Sequence, residues 1–210
     1  MQLSCGFRAS VGQMSRCLRK GTRSGVSSVL SPEMKRRAGG RDMRIVFDQA
    51  AIAARVHALG QEITAAYPTG DLLVLGLLKG SFIFLSDLVR QIDRPLHLDF
   101  LVASSYGAGT VSSGNVRLLY DPETPLEGKH LLIVEDIIDS GRTMQRMLSL
   151  LSARRPASLA VCALLDKQSL HEPIPEVRWV GFSAPPAFLV GYGLDHAEDF
   201  RHLPFIGDLN

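Results

Sequence analysis

Apolar and polar positions along the chain change period in a regular order. Ile52, Val56, Leu59 and Ile63 recur at the spacing of one helix face, and Asp48 stands where a cap for the first turn belongs. Residues 49–66 are therefore predicted to form an amphipathic helix, and the domain to begin near residue 43. The run "LLVLGLL", Leu72 to Leu78, is short and apolar throughout, as in a strand buried on both faces. A turn and a second helix follow, with Leu85, Leu88 and Ile92 on one side. Leu96 to Ala103 read as a second strand that ends in small and polar residues, "SSYG". Leu131 to Val134 begin a third, a helix is expected from about Arg142 to Ala153, and "SLAVCALLD", after Pro156, makes a fourth.

Strand and helix in alternation imply βαβ units with right-handed crossovers, hence an α/β fold with a largely parallel, twisted sheet flanked by helices. In such folds ligands sit beyond the carboxyl ends of the strands. The polar clusters all fall there: Lys79-Gly80-Ser81, Ser104-Ser105-Tyr106-Gly107, and Glu135 to Thr143. After Lys167 prolines become frequent, and the short pieces "WVGFSA" and "FLVGYGLD" are expected to build a small lobe of short strands capping the sheet.

Charge divides the chain in two. Residues 1–41 hold nine Lys or Arg and one acid, Glu33, a balance of +8, whereas the whole chain carries only +2. A basic tail suits nucleic acid or anionic lipid, and one rich in Arg and Ser with few acids resembles a transit peptide. Few aromatics and no sustained periodicity favour a plainer account, that residues 1–42 are an extension without fixed structure or are translated from upstream of a start at Met43. Residues 43–210 form the domain. No stretch approaches the roughly 18 apolar residues of a membrane span. Cys5, Cys17 and Cys162 are odd in number and contain no CxxC pair, against a disulfide framework and a zinc site and in keeping with a reduced, cytoplasmic setting.

The chemistry concentrates in "HLLIVEDIIDSGRT", residues 130–143. Glu135, Asp136 and Asp139 cannot enter a dry core unpaired, so they are expected at the strand's exit. Asp139-Ser140-Gly141-Arg142-Thr143 joins strand to helix through small and hydroxylated residues. Backbone N–H groups and the positive end of the helix then converge on one point, an anion site suited to phosphate. Glu135 and Asp136 would repel that phosphate and so address another part of the ligand; as acceptors they suit hydroxyl groups, which makes a sugar phosphate the simplest ligand. No G-x-x-x-x-G-K-[ST] occurs, and Gly107-Ala-Gly109 and Gly191-Tyr-Gly193 lack the third glycine of a dinucleotide fingerprint.

"VEDIIDSGRT" resembles the phosphoribosyl-diphosphate signature of type I phosphoribosyltransferases, in particular the hypoxanthine-guanine branch, and the resemblance extends over residues 48–208. It implies the type I fold, with a small hood lobe and a mobile lid loop. It implies that Glu135 and Asp136 hold the ribose hydroxyls and that Asp139 to Thr143, with Ser140, Gly141 and Arg142, cradle the 5′-phosphate. Asp139 would also be the general base for the purine N7 proton, and an Asp at this position favours a 6-oxopurine. "LLKGS" resembles the pyrophosphate loop, placing Lys79 and Gly80 on the diphosphate after a Leu78–Lys79 peptide that can be cis. In the Gly- and Ser-rich "SSYGAGTVSSGNV", Ser105 and Tyr106 resemble the lid pair that closes over the reaction centre and excludes water. Lys167 matches the donor to the purine O6, Phe188 the aromatic that stacks on the base and Leu189 the residue whose backbone meets its edge. Asp195 matches a carboxylate ligand of Mg²⁺ and Arg201 a pyrophosphate-binding arginine. Trp179 and "SAPPAF" depart from the more charged stretch usual before the stacking aromatic, which leaves the choice among hypoxanthine, guanine and xanthine open.

The expected activity is transfer of the phosphoribosyl group to hypoxanthine, with guanine as a second base, giving IMP or GMP and pyrophosphate in purine salvage. The expected partners are the two small-molecule substrates and copies of the same chain in a dimer or tetramer, with no membrane and no nucleic acid. A protein that only senses phosphoribosyl diphosphate and regulates RNA or another protein would keep the cradle and could lose base, lid or metal ligand. This chain retains Asp139, Ser105-Tyr106 and Asp195, and its domain is acidic, both of which favour an enzyme.

Overall fold

In a computed structural model residues 31–38, 40–105 and 116–209 are described. Six strands form the main sheet in the order β4-β3-β2-β5-β6-β7: β2 is Leu72–Leu78, β3 His97–Ser105, β4 Val116–Tyr120, β5 His130–Ile138, β6 Ser158–Asp166 and β7 Val177–Ser183. β3, β2, β5, β6 and β7 run parallel, and β4 returns antiparallel along β3 as the edge. Helices α2 (Gln49–Ala66), α3 (Phe82–Val89) and α4 (Arg142–Ser152) cover the faces. The alternation read in the sequence therefore becomes the α/β sheet it implies.

Period-two alternation inside the apolar strands sorts the core into two layers. Leu72, Val74, Leu132, Val134, Ala160 and Cys162 pack with Ile52, Val56, Leu59 and Ile63 of α2 and with Phe84, Leu85 and Leu88 of α3. Leu73, Leu75, Leu131, Ile133, Val161 and Ala163 face the other way, onto Met144, Met147, Leu148 and Leu151 of α4. Burying each such side chain stabilises the fold by about 1.5–3 kcal/mol before chain entropy is counted. Arg55 ties α2 to the far edge, donating from Nε to the Gly181 carbonyl at 3.1 Å and from Nη2 to that of Val180 at 2.8 Å.

Several elements differ from the sequence expectation. "WVGFSA" is not part of the small lobe: β7 pairs with β6, Val161 opposite Val177 through Asp166 opposite Ser183, because its inward residues complete the layer under α2. The strand begun at Leu131 continues through Glu135 and Asp136 to Ile138, so those carboxylates lie within β5 rather than beyond it. α3 ends at Val89, short of Ile92, which is buried past the helix end. The small lobe is a three-stranded antiparallel sheet in the order β1-β9-β8, with β1 Arg44–Phe47, β8 Leu189–Val190 and β9 Ile206–Asp208. Its outer strand β1 comes from the amino-terminal end, which the pattern of the carboxyl-terminal third could not reveal. Of the basic segment, residues 31–38, 40 and 41 are described: α1 (Pro32–Arg37) places Met34 and Ala38 against Phe200 and Leu203, and Arg37 donates to Asp199 Oδ1 at 2.7 Å.

Register sets the site. β5 and β6 run level to their ends, Ile138 opposite Asp166, whereas the pairing of β2 with β5 stops at Gly76 opposite Val134. The chain leaving β2 therefore turns across the last residues of β5, and Lys79-Gly80 comes to lie beside Asp136.

The predicted cap of α2 is present, Asp48 Oδ1 accepting from the Ala51 N–H at 2.8 Å. Asp48→Ala should cost about 1 kcal/mol and lower the melting temperature by about 2–4 °C, as read by circular dichroism.

Candidate active site

At the end of β5 the chain makes the turn that the motif predicted. Gly141 adopts φ 70°, ψ −12° immediately before α4, a left-handed conformation that glycine takes without strain. No side chain caps this helix, so the N–H groups of its first turn point toward the loop. Glu135, Asp139, Ser140, Gly141 and Thr143 line a cavity of about 130 Å³ there, with Ile137, Ile138 and Met144. That leaves room for a small anion such as one tetrahedral phosphate group. Arg142 is exposed on the first turn of α4 and does not line the cavity.

Asp136 is buried and Glu135 half-buried, with its Oε2 shut off from solvent, and desolvation is the first cause that raises both their pKa values. For Glu135 the shift is large, and the neighbouring Asp136 adds to it by repulsion and hydrogen bonding. Asp136 is restrained by hydrogen bonds from Glu135 and backbone N–H groups and by the positive charge of Arg201. Glu135 Oε2 has no hydrogen-bond partner. An acceptor so placed suits a hydroxyl donor, which supports the ribose assignment physically.

The diphosphate-side residues gather around Asp136. The Leu78–Lys79 peptide is cis. A Cβ on Gly80 would lie 1.7 Å from Asp136 Oδ2, so the residue beside that carboxylate has no room for a side chain. Ser81, fully buried, donates to the Leu77 carbonyl at 2.7 Å and fixes the turn. From the small lobe, Gly193 backs onto the Gly80 carbonyl, where a Cβ would approach to 2.1 Å. Arg201 donates to the Gly193 carbonyl at 2.8 Å and pairs with Asp195 Oδ1 at 2.7 Å. Lys79, Gly80, Asp136, Asp195 and Arg201 are thus brought together in one place. Arg201 Nε is buried with no partner. Glu135 Oε2 and Arg201 Nε are two of the three such side-chain atoms among the described residues, and both lie here, which marks the place as a polar ligand site.

Sequence reasoning passed over Glu198. Its carboxylate meets Lys79 Nζ at 3.2 Å and Arg201 Nη2 at 3.4 Å, and the hydrogen bond from Lys79 is the main cause that lowers its pKa. It stands on a two-residue turn closed by reciprocal His196 and Asp199 hydrogen bonds, with Ala197 and Glu198 at φ 51° and 67°. Nothing in "LDHAEDF" announces such a turn, because neither central residue is Gly, Asn or Asp.

On the base side, Lys167 follows β6 and Asp139 follows β5, and the level register brings Lys167 Nζ to 3.2 Å from Asp139 Oδ1. The lysine is largely buried and the aspartate exposed. Phe188 is nearly half exposed and stands edge-on to His196, ring centres 5.3 Å apart. The Phe188 carbonyl accepts from Leu209 N–H toward β9. By alternation the backbone groups of Leu189, on the lobe's edge strand, point the other way. Tyr106 lies outside the described residues, and Ser105 enters only as the last residue of β3.

No group of three or more His, Cys, Asp or Glu side chains able to hold a metal occurs among the described residues. Asp195 uses one oxygen toward Arg201 and the other to accept from Glu198 N–H at 2.8 Å, which leaves lone pairs on both. A single carboxylate with the rest of the shell from substrate and water is the arrangement Mg²⁺ favours, so the residues present fit that ion.

A glycine turn into α4 whose first N–H groups lack a side-chain cap, paired acids on the central strand and a cationic turn on its neighbour meet at the sheet's carboxyl edge. The chain belongs to the phosphoribosyltransferase family: the family model described as "Phosphoribosyl transferase domain" matches residues 43–197. It is 46% identical over 167 residues to the hypoxanthine phosphoribosyltransferase of Escherichia coli K12, covering 79% of this chain and 94% of that one. It is 47% identical over 170 residues to the hypoxanthine-guanine phosphoribosyltransferase of Dictyostelium discoideum, again covering 79% and 94%. A crystal structure of a Staphylococcus aureus hypoxanthine phosphoribosyltransferase superposes with a TM-score of 0.76 at 39% identity, covering 80% of this chain and 91% of that one.

The raised pKa of Glu135 has a sign that can be tested. Between its ordinary value and its raised one the folded protein holds a proton that the unfolded chain releases, so this residue lowers stability as pH climbs through that window. Glu135→Gln should therefore melt about 2–4 °C above the parent at pH 8, and the gain should vanish at pH 4. Equal melting temperatures at pH 8 would show that the buried carboxyl carries no such cost.

Proposed function

We propose that the chain transfers the 5-phosphoribosyl group of phosphoribosyl diphosphate to a 6-oxopurine, hypoxanthine and also guanine, giving the nucleoside monophosphate and pyrophosphate. What carries this assignment is the Asp139–Lys167 pair, an acceptor and a donor 3.2 Å apart at the mouth of the phosphate loop. A 6-oxopurine presents O6 and N7 side by side on one edge. Lys167 can donate to O6 while Asp139 takes the N7 proton as the base attacks the sugar. Adenine carries an amino donor in place of O6, which would face the lysine's own donors. A module that merely sensed the diphosphate would need the cradle and have no use for this pair.

The loop Asp139–Thr143 holds the 5′-phosphate in the cavity that Asp139, Ser140, Gly141 and Thr143 line, with Arg142 on its solvent side, and Glu135 and Asp136 accept from the ribose hydroxyls. Lys79, the N–H groups of the Lys79-Gly80 turn and Arg201 receive the diphosphate that departs as the C1′–O bond breaks, so its new charge is met by groups already in place. Glu198 must give up both cations when it arrives. Bound Mg²⁺ would neutralise the departing diphosphate, with Asp195 supplying a ligand oxygen. Phe188 stacks on the base, Leu189 meets its edge through the backbone, and Ser105 and Tyr106 close over the centre to exclude water. A homodimer or homotetramer is the assembly the family resemblance favours; analytical ultracentrifugation reads it directly.

The deciding assay follows pyrophosphate release from phosphoribosyl diphosphate with Mg²⁺ and hypoxanthine, guanine, xanthine, adenine or uracil offered separately. Turnover is expected with hypoxanthine and guanine and at background with adenine and uracil. Saturable diphosphate binding with no turnover of any base would overturn the assignment. Asp139→Ala should lose about 10²–10⁴ in kcat while keeping the parent's circular dichroism spectrum; near-parental turnover would remove Asp139 from its role.

A further inference from the structure

Behind the phosphate loop lies a histidine that the proposed reaction does not use. His171 follows the single turn Gln168–Leu170 after β6, and its side chain is only 6% exposed. Both ring nitrogens face oxygens: Nδ1 lies 2.8 Å from the Glu172 carbonyl, and Nε2 2.8 Å from Asp166 Oδ1. A carbonyl and a carboxylate are acceptors, so each nitrogen must donate. Neutral imidazole carries one N–H and the imidazolium two. Asp166 is buried at the end of β6, so cation and anion form a pair inside the protein. The ring packs on Gly141, where an added Cβ would stand 3.3 Å from His171 Cγ. Gly141 in turn lines the anion cavity.

We propose that His171, held as an imidazolium between Asp166 and the Glu172 carbonyl, is a positioning residue that sets the Gly141 backbone and lends buried positive charge to the 5′-phosphate cradle. This rests on the assignment of Asp139 to Thr143 as that cradle. The Glu172 carbonyl is the main cause that raises the histidine's pKa, with Asp166 and Asp139 acting the same way and burial opposing. A raised value keeps the ring cationic past its usual limit of about 6.5, and the charge is lost as pH climbs through the raised value. The other charged groups around it are Asp166 on β6, Glu172 beside it in sequence, Asp139 and the exposed Arg142 on the loop into α4, and Lys167, which is paired with Asp139.

The test measures binding of ribose 5-phosphate and, separately, of pyrophosphate to the full chain by calorimetry from pH 7 to 9.5, where the sugar phosphate stays a dianion. The parent's affinity for ribose 5-phosphate should fall roughly tenfold across that range. His171→Arg, a permanent cation, should hold its affinity level, and His171→Gln should bind weakly throughout, with pyrophosphate affinity alike in all three. Parental binding by His171→Gln at pH 7, or the parent's pH dependence surviving in His171→Arg, would overturn the proposal. A parent that binds pyrophosphate but not ribose 5-phosphate at pH 7 would fail the cradle assignment itself and this inference with it. Should His171→Gln not fold, ¹⁵N NMR of the parent still decides: two protonated ring nitrogens at pH 7 are expected, and a neutral tautomer overturns it.

Discussion

Two adjacent carboxyls buried at the end of a central parallel strand are the constraint around which the site is arranged. An isolated buried carboxylate is costly unless neighbours satisfy it, and Asp136 draws such neighbours from two directions: backbone N–H groups within β5 and the charge of Arg201. Gly80 and Gly193 let the turn after β2 and the small lobe close over that place. Glu135 has no comparable relief, so the protein holds an acceptor ready and less stable than it could be, a common exchange of stability for function.

The cations of the site share a different logic. Lys167 is matched to Asp139, Arg201 to Asp195 and Glu198, and Lys79 to Glu198. Each is held in place by an acid before any anion arrives, which reduces the ordering left for binding. His171 with Asp166 repeats the pattern one layer deeper, where solvent screening is weaker.

The main sheet and the phosphate loop were legible because they depend on local chemistry: apolar runs of strand length, and a glycine where a left-handed turn enters a helix. Glu135 and Asp136 were expected just beyond the strand and instead lie within it, because apolar patterning cannot show a strand that carries acids on to its end. β7 was assigned to the wrong sheet, since its alternation fits either a capping lobe or a main-sheet edge and only pairing with β6 decides. Glu198 and His171 were missed for a related reason. Their meaning lies in partners far away in sequence or on the backbone, Lys79 in one case and the Glu172 carbonyl and Gly141 in the other. "ALLDK" did hold a hint, for an aspartate closing an otherwise apolar strand needs a buried partner.

The approach of Gly80 to Asp136 also bears on how such a sequence can drift. Any side chain at position 80 collides with the carboxylate at 136, while shortening 136 to make room removes an acid that the proposed ribose contact requires. Neither position can change alone without loss, so the two behave as one heritable unit, and substitutions that look mild singly should show strong epistasis. Divergence of this site toward other sugar ligands would have to pass through paired replacements, a narrower path than the freely substitutable surface around it.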